Sequence, residues 1–164
     1  MRAPTPLSSG RRFGDVAAFG APLAVGALGT IPTIPAIRGW YRTLDKPGWS
    51  PPDAVFGPVW STLYILMGVA MVLVRRMEVS GSAQQLFGLQ LTLNLAWSYA
   101  FFGLRSPAAG AAVILALWLA IIATIAAFAR RSRLAAALLV PYFAWVTFAA
   151  LLNLEIWRRN AAKK

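Results

Sequence analysis

Five stretches of this chain run for more than twenty residues without a charge: Val16 to Ile37, Ala54 to Val74, Val79 to Leu104, Ser106 to Ala129 and Leu134 to Leu154. A helix needs roughly 20 predominantly apolar residues to cross roughly 30 Å of hydrocarbon. The pattern therefore reads as a membrane span repeated five times, an all-α integral membrane bundle. Charged residues make up 13% of the chain, about half the usual share of a soluble domain. The expected helices cover roughly 14–35, 52–75, 79–104, 106–130 and 134–158, within a single transmembrane domain over roughly 13–160. Short tails, 1–12 and 161–164, flank it.

The formal net charge of +11 would suggest nucleic acid in a soluble chain. Here the cations cluster between spans, as Arg75-Arg76, Arg130-Arg131 and Arg158-Arg159, where they act as topology signals and contacts to anionic lipid. No basic amphipathic helix or recognition motif accompanies them, so nucleic acid is not an expected partner. The positive-inside count does not orient the bundle, because each side collects eight Lys/Arg. Inner and outer membrane are equally compatible with the sequence.

The first span carries Gly20, Gly26 and Gly29, is interrupted by Pro22 and runs into Pro32 and Pro35. With Arg11-Arg12 before it, it also fits a cleaved signal peptide. No clear cleavage site follows, and Ala-rich bundles use Gly for close helix approach, which favours a retained span. Cysteine and histidine are absent. That excludes disulfides, Cys/His metal sites, thiolate or imidazole haem ligation and nucleophile–His couples, and no metal site is expected. Asp15, Asp45, Asp53, Glu78 and Glu155 lie at span ends, so no carboxylate pair faces an interior relay. No obligatory cofactor is implied.

The seven Trp are the unusual feature. Interfacial anchoring accounts for Trp40, Trp49 and Trp157 but not for mid-span Trp118 and Trp145. Trp118 has aliphatic neighbours in sequence and suits lipid or core. Helical spacing places Tyr142, Trp145, Ala149 and Leu152 on one face, and Gln90, Asn94, Trp97, Ser98 and Phe101 on another. Trp60, Tyr64, Met67 and Met71 share a third. Buried amides and hydroxyls need partners, so these faces should turn inward, either as interhelical hydrogen bonding with aromatic packing or as the walls of a ligand pocket. Ala108, Ala112, Ala116, Ala120 and Thr124 form a small-residue ridge, expected to pack mainly within the chain. Between the first two spans, Ser50 is an expected N-cap with Pro51 at the first helical position and Asp53 at the third. The same connector interleaves Arg38, Arg42 and Lys46 with Trp40, Tyr41 and Trp49. It suits either a cationic lid over an anionic aromatic ligand or an anchor among headgroups.

Trp40-Tyr41, Leu44, Lys46-Pro47, Trp49, Pro51-Pro52, Phe56, Val59-Trp60 and Leu63-Tyr64 resemble the signature of the tryptophan-rich sensory protein and translocator protein family, once called peripheral benzodiazepine receptors. The similarity continues through Gly20-Ala21-Pro22, Gly26-Ala27-Leu28, Asn94, Trp97, Phe101-Phe102-Gly103, Pro141-Tyr142, Trp145, Ala149, Asn153, Glu155 and Arg158. The resemblance implies a five-helix bundle, commonly a homodimer, whose first loop covers a pocket for porphyrins and synthetic aromatic ligands. It implies pocket positions at Tyr41, Pro51, Pro52, Trp60, Asn94, Trp145 and Ala149, beside Tyr64, Trp97 and Ser98 from the faces above. The animal members' cholesterol pattern needs a Tyr where Leu154 and Glu155 stand, which argues against sterol binding. Three functions follow from this reading: tetrapyrrole sensing, sequestration or transport; light-dependent porphyrin degradation with Trp60 and Trp145 as redox participants; or a structural membrane subunit.

Overall fold

The computed structural model describes residues 9–77 and 81–161. The chain forms α1 (Ser9–Arg38), a short α2 (Trp40–Thr43), α3 (Asp53–Arg76), α4 (Gly81–Ser98) continued by a π-helical turn (Tyr99–Gly103), α5 (Pro107–Ala129) and α6 (Arg133–Ala161), with no strand among the described residues. The expected start of the third span at Val79 lies outside the described residues, as do Arg2, Glu78, Lys163 and Lys164. The five long helices close a ring in the order α1, α3, α6, α5, α4 and back to α1.

Four of these helices, α1, α3, α5 and α6, are long and apolar enough to cross a membrane by composition alone. The exception, α4, carries Gln84, Gln85, Gln90 and Asn94. Gln90 and Asn94 are buried against the ring's interior, so the same polar stripe that lowers its hydropathy sits in the middle of the bundle. Polar groups at that depth are tolerated when they face protein.

Pro32 and Pro35 lie within the first helix, which continues to Arg38. Thr30 and Thr33 donate to the carbonyls of Ala27 and Gly29 at 2.6 and 2.7 Å, supplying side-chain hydrogen bonds around the proline turn. At its other end, α1 lies on α3 so closely that a Cβ on Gly68 would stand 2.8 Å from the Phe19 carbonyl oxygen. Asp15 there pairs with Arg76 at 2.9 Å and Arg75 at 3.6 Å.

Ser50 does not cap α3. The helix begins at Asp53 with Pro52 in the capping position at φ −56° and ψ 143°, and no side chain caps it. A proline disfavours helical backbone in the residue before it, so Pro52 keeps Pro51 extended and moves the helix start beyond the reach of Ser50.

The α5 ridge is divided. Ala120 and Thr124 are buried, whereas Ala108, Ala112 and Ala116 are exposed. The neighbours α4 and α6 instead cover the face bearing Gly110, Ala111, Ile114, Leu117 and Ile121. A Cβ on Gly110 would meet Asn153 Oδ1 at 2.7 Å and Phe101 at 2.8 Å, so these two side chains occupy the space that only a glycine leaves free.

Candidate ligand-binding site

The π-helical turn is the local device that shapes the site. Its wider winding, closed by the Leu104 amide on the Tyr99 carbonyl at 2.8 Å, turns the adjacent Phe101 and Phe102 both inward, with rings 4.8 Å apart. Tyr41 of α2 sits on this pair, at 6.2 Å from Phe101 and 5.8 Å from Phe102. Lys46 lies over the Tyr41 ring at 4.3 Å, a cation–π contact. The connector is also tied to the end of α6. The Asp45 amide donates to Asn160 Oδ1 at 3.1 Å, and Asn160 Nδ2 donates back to the Asp45 carbonyl at 3.0 Å. Trp49 closes edge-on against Phe148 at 5.8 Å.

Beneath this fastened connector, α1 and α3 part. Between them and α4 lies a cavity of about 490 Å³, within the volume usual for small-molecule sites. Its wall is aromatic. Trp60 stacks on Tyr64 at 5.5 Å and 27°, lies 6.2 Å from Trp97, and is joined by Phe56, Phe102 and Tyr41. The α1 side contributes Leu23, Gly26, Ala27, Thr30 and Ile34 among others. Leu23, Ala27, Thr30, Ile34, Gly57, Ser61 and Ile65 line it and are exposed, which puts the mouth on the outer face between α1 and α3.

The polar ends of the wall residues are held from behind. Tyr64 Oη donates to Asn94 Oδ1 at 2.8 Å, and Asn94 Nδ2 donates to Tyr142 Oη at 3.1 Å, linking α3, α4 and α6. Trp97 Nε1 donates to Asn153 Oδ1 at 3.1 Å, while Asn153 Nδ2 donates to the Pro107 carbonyl at 2.7 Å. Such interhelical bonds contribute about 1 kcal/mol each in a membrane and fix ring orientation. Burial, then the nearby Asp53 carboxylate, push the Tyr41 phenol up to about 12.

Of the residues named from sequence, Tyr41, Trp60, Tyr64, Trp97 and Ser98 line this cavity. Asn94 stands one layer behind, hydrogen-bonded to Tyr64. Pro51 and Pro52 do not line it, although they immediately precede Asp53, which does. Trp145 and Ala149 lie outside its lining. Trp145 packs on Phe56 at 5.9 Å and Phe148 at 5.4 Å with its indole N–H unpartnered, and Ala149 is buried in the α6 core. Arg38, Arg42 and Lys46 are not cavity residues. Trp118, which has only aliphatic sequence neighbours, finds a polar partner across the bundle: its indole N–H donates to Thr147 Oγ1 at 2.9 Å. The α1 wall and Phe102 carried no aromatic or polar stripe to mark them. Their signals were the small residues Gly26 and Gly29 before Pro32, and the family resemblance through Gly26-Ala27-Leu28 and Phe101-Phe102-Gly103.

The fold is thus a ring of apolar helices with an aromatic cavity that opens sideways under the first connector, and the comparisons specify its family. Residues 18–158 match the TspO/MBR family. The chain is 47% identical over 147 residues to a tryptophan-rich protein TspO of Chlorobaculum tepidum, covering 87% of this chain and 92% of that one. It is 40% identical to a tryptophan-rich sensory protein of Cereibacter sphaeroides, covering 88% of each, and 42% identical to the human translocator protein over 74% of this chain and 75% of that one. The chain belongs to the TspO/MBR family of multi-pass membrane proteins.

Proposed function

We propose that the protein binds porphyrins, or flat hydrophobic aromatic molecules like them, in the cavity between α1, α3 and α4, and so senses, sequesters or moves them. The observation that carries this reading is the continuous aromatic wall of Tyr64, Trp60 and Trp97, joined by Tyr41 and Phe102 around about 490 Å³. A planar ring system gains most from such a wall, because offset stacking adds about 1 kcal/mol per pair beyond the burial of area. A mouth between α1 and α3 suits a ligand already dissolved in lipid. The names of the relatives, sensory and translocator, accord with a role in detecting or moving a molecule.

A second reading, light-dependent porphyrin degradation, is favoured by Trp60. It stands in the wall as an oxidisable ring and lies 6.2 Å from Trp97, which lies 5.9 Å from Phe101. Trp145 is not a lining residue and packs on Phe56, which is.

The test is purified protein in nanodiscs titrated with protoporphyrin. Saturable quenching of Trp fluorescence in the dark supports binding. Added loss of the porphyrin absorption band under illumination supports the second reading, and no saturable quenching returns the protein to a structural role.

A further inference from the structure

The cavity has one charged lining residue, and its sign is opposite to that of the chain. Asp53, exposed in the first turn of α3, lines the loop end, and among the described residues no Lys or Arg lines the cavity. Among the described residues, Asp53 makes no ion pair within 4.0 Å; the connector's acid Asp45 is bound instead to Arg159 at 3.8 Å. The nearest cation along the connector, Lys46, is placed over the Tyr41 ring at 4.3 Å. Arg38 and Arg42 are exposed and outside the lining. The other polar lining groups carry no charge: Thr30, Thr33 and Ser61 donate to carbonyls of their own helices, and the Tyr64 hydroxyl donates to Asn94.

We infer that Asp53 makes the cavity selective for flat aromatic ligands bearing a cationic or N–H donor group at the loop end, and against those that present a carboxylate there. This rests on the proposed binding of aromatic rings in the same cavity. A carboxylate beside an unpaired aspartate costs affinity through like-charge repulsion, whereas an ammonium gains from it. Rings with carboxylate side chains therefore enter with those groups at the exposed mouth between α1 and α3. Asp53 acts as a specificity residue, and the aromatic wall supplies the affinity common to all of these ligands.

The experiment uses the full chain in nanodiscs of uncharged lipid and three porphyrins with the same ring. One bears carboxylates, one their methyl esters, and one quaternary ammonium groups on amide links. Dissociation constants come from Trp fluorescence quenching. The wild type should bind the ammonium form tightest and the carboxylate form weakest, with steps of about threefold, the scale of a partly exposed ion pair. Asp53→Asn should bring the three within about twofold of one another, tightening the carboxylate form and leaving the ester unchanged. Asp45→Asn removes an equal charge from the same membrane face outside the cavity and should keep the wild-type order. Survival of that order in Asp53→Asn, or its equal loss in Asp45→Asn, overturns the inference alone. Absence of saturable quenching by all three porphyrins overturns the binding reading, and this inference with it.

Discussion

The two sides of the helical ring use the same residue types to opposite ends. On the α4–α5–α6 side, aromatic and polar groups are consumed by one another. Asn153 is paired with the Pro107 carbonyl and Trp118 with Thr147, while the Asn153 and Phe101 side chains pack directly onto Gly110. On the α1–α3 side, Tyr64 is equally well braced from behind by Asn94, yet it and the Trp60 stacked on it line a cavity of about 490 Å³. A stripe of Trp, Tyr and Asn on a membrane helix thus marks an interior surface without saying whether the interior is filled. What distinguishes the sides is the opposing helix: α5 offers a close-packed face, whereas α1 leaves α3 as it nears the connector.

The largest expected effect tests the filled side. Gly110→Ala places a methyl 2.7 Å from Asn153 Oδ1 and 2.8 Å from the Phe101 ring, so it should destabilise the protein by about 3 kcal/mol, read as a lower thermal midpoint in detergent. Little change would mean that the α5 crossing has slack the geometry does not show. Next in size is a contrast of two insertions. Ala149→Leu, in the buried α6 core, should cost about 2 kcal/mol of stability and leave porphyrin affinity near wild type. Gly57→Leu, on the cavity lining with nothing within 4 Å of its Cβ, should keep stability and reduce affinity by roughly tenfold. If Ala149→Leu instead blocks binding at full stability, the ligand space extends to α6.

Smaller effects concern the connector. Asn160→Ala removes both hydrogen bonds to the Asp45 backbone and should loosen the loop by about 1 kcal/mol, seen as faster amide exchange near residue 45 with the spans unaffected. Unchanged exchange would mean that Trp49 and Tyr41 hold the loop without the α6 tie. The slightest effect is a pH response. Tyr41 rises from 10.0 to about 12 on folding, so its neutral form is favoured in the docked loop. The associated stabilisation is complete below pH 10 and is lost as pH rises towards 12. Tyrosinate absorbance should accordingly show one phenol that ionises late in this window, absent in Tyr41→Phe.

Much of the architecture was legible because hydrocarbon imposes a length and a polarity that sequence displays directly. The α4 stripe through Gln90, Asn94, Trp97 and Ser98 turned inward as its spacing required. Illegible features depend on partners far along the chain or on backbone departures from regular helix. Phe102 joins Phe101 in the interior only through the π-helical turn, which no 3.6-residue pattern anticipates. Trp118 meets Thr147 from a different span. The failed Ser50 cap follows from two successive prolines, a local rule that outweighs capping preference. At the site, Trp60, Tyr64 and Trp97 were readable, whereas Trp145 was placed in the pocket by resemblance and by a shared face with Tyr142. Tyr142 is buried 6.2 Å from Trp60, but Trp145 turns towards Phe56 and Phe148.

Trp60 and Trp145 therefore give the most direct test of whether ligand occupies the α1–α3 side. Protoporphyrin dissociation constants are measured by fluorescence quenching in nanodiscs for Trp60→Phe and Trp145→Phe. Trp60→Phe should weaken binding by about fivefold, the loss of one large stacking surface, while Trp145→Phe stays within about twofold of wild type. Equal weakening by both, or a greater loss at Trp145, would contradict the account and move the ligand to the α6 face.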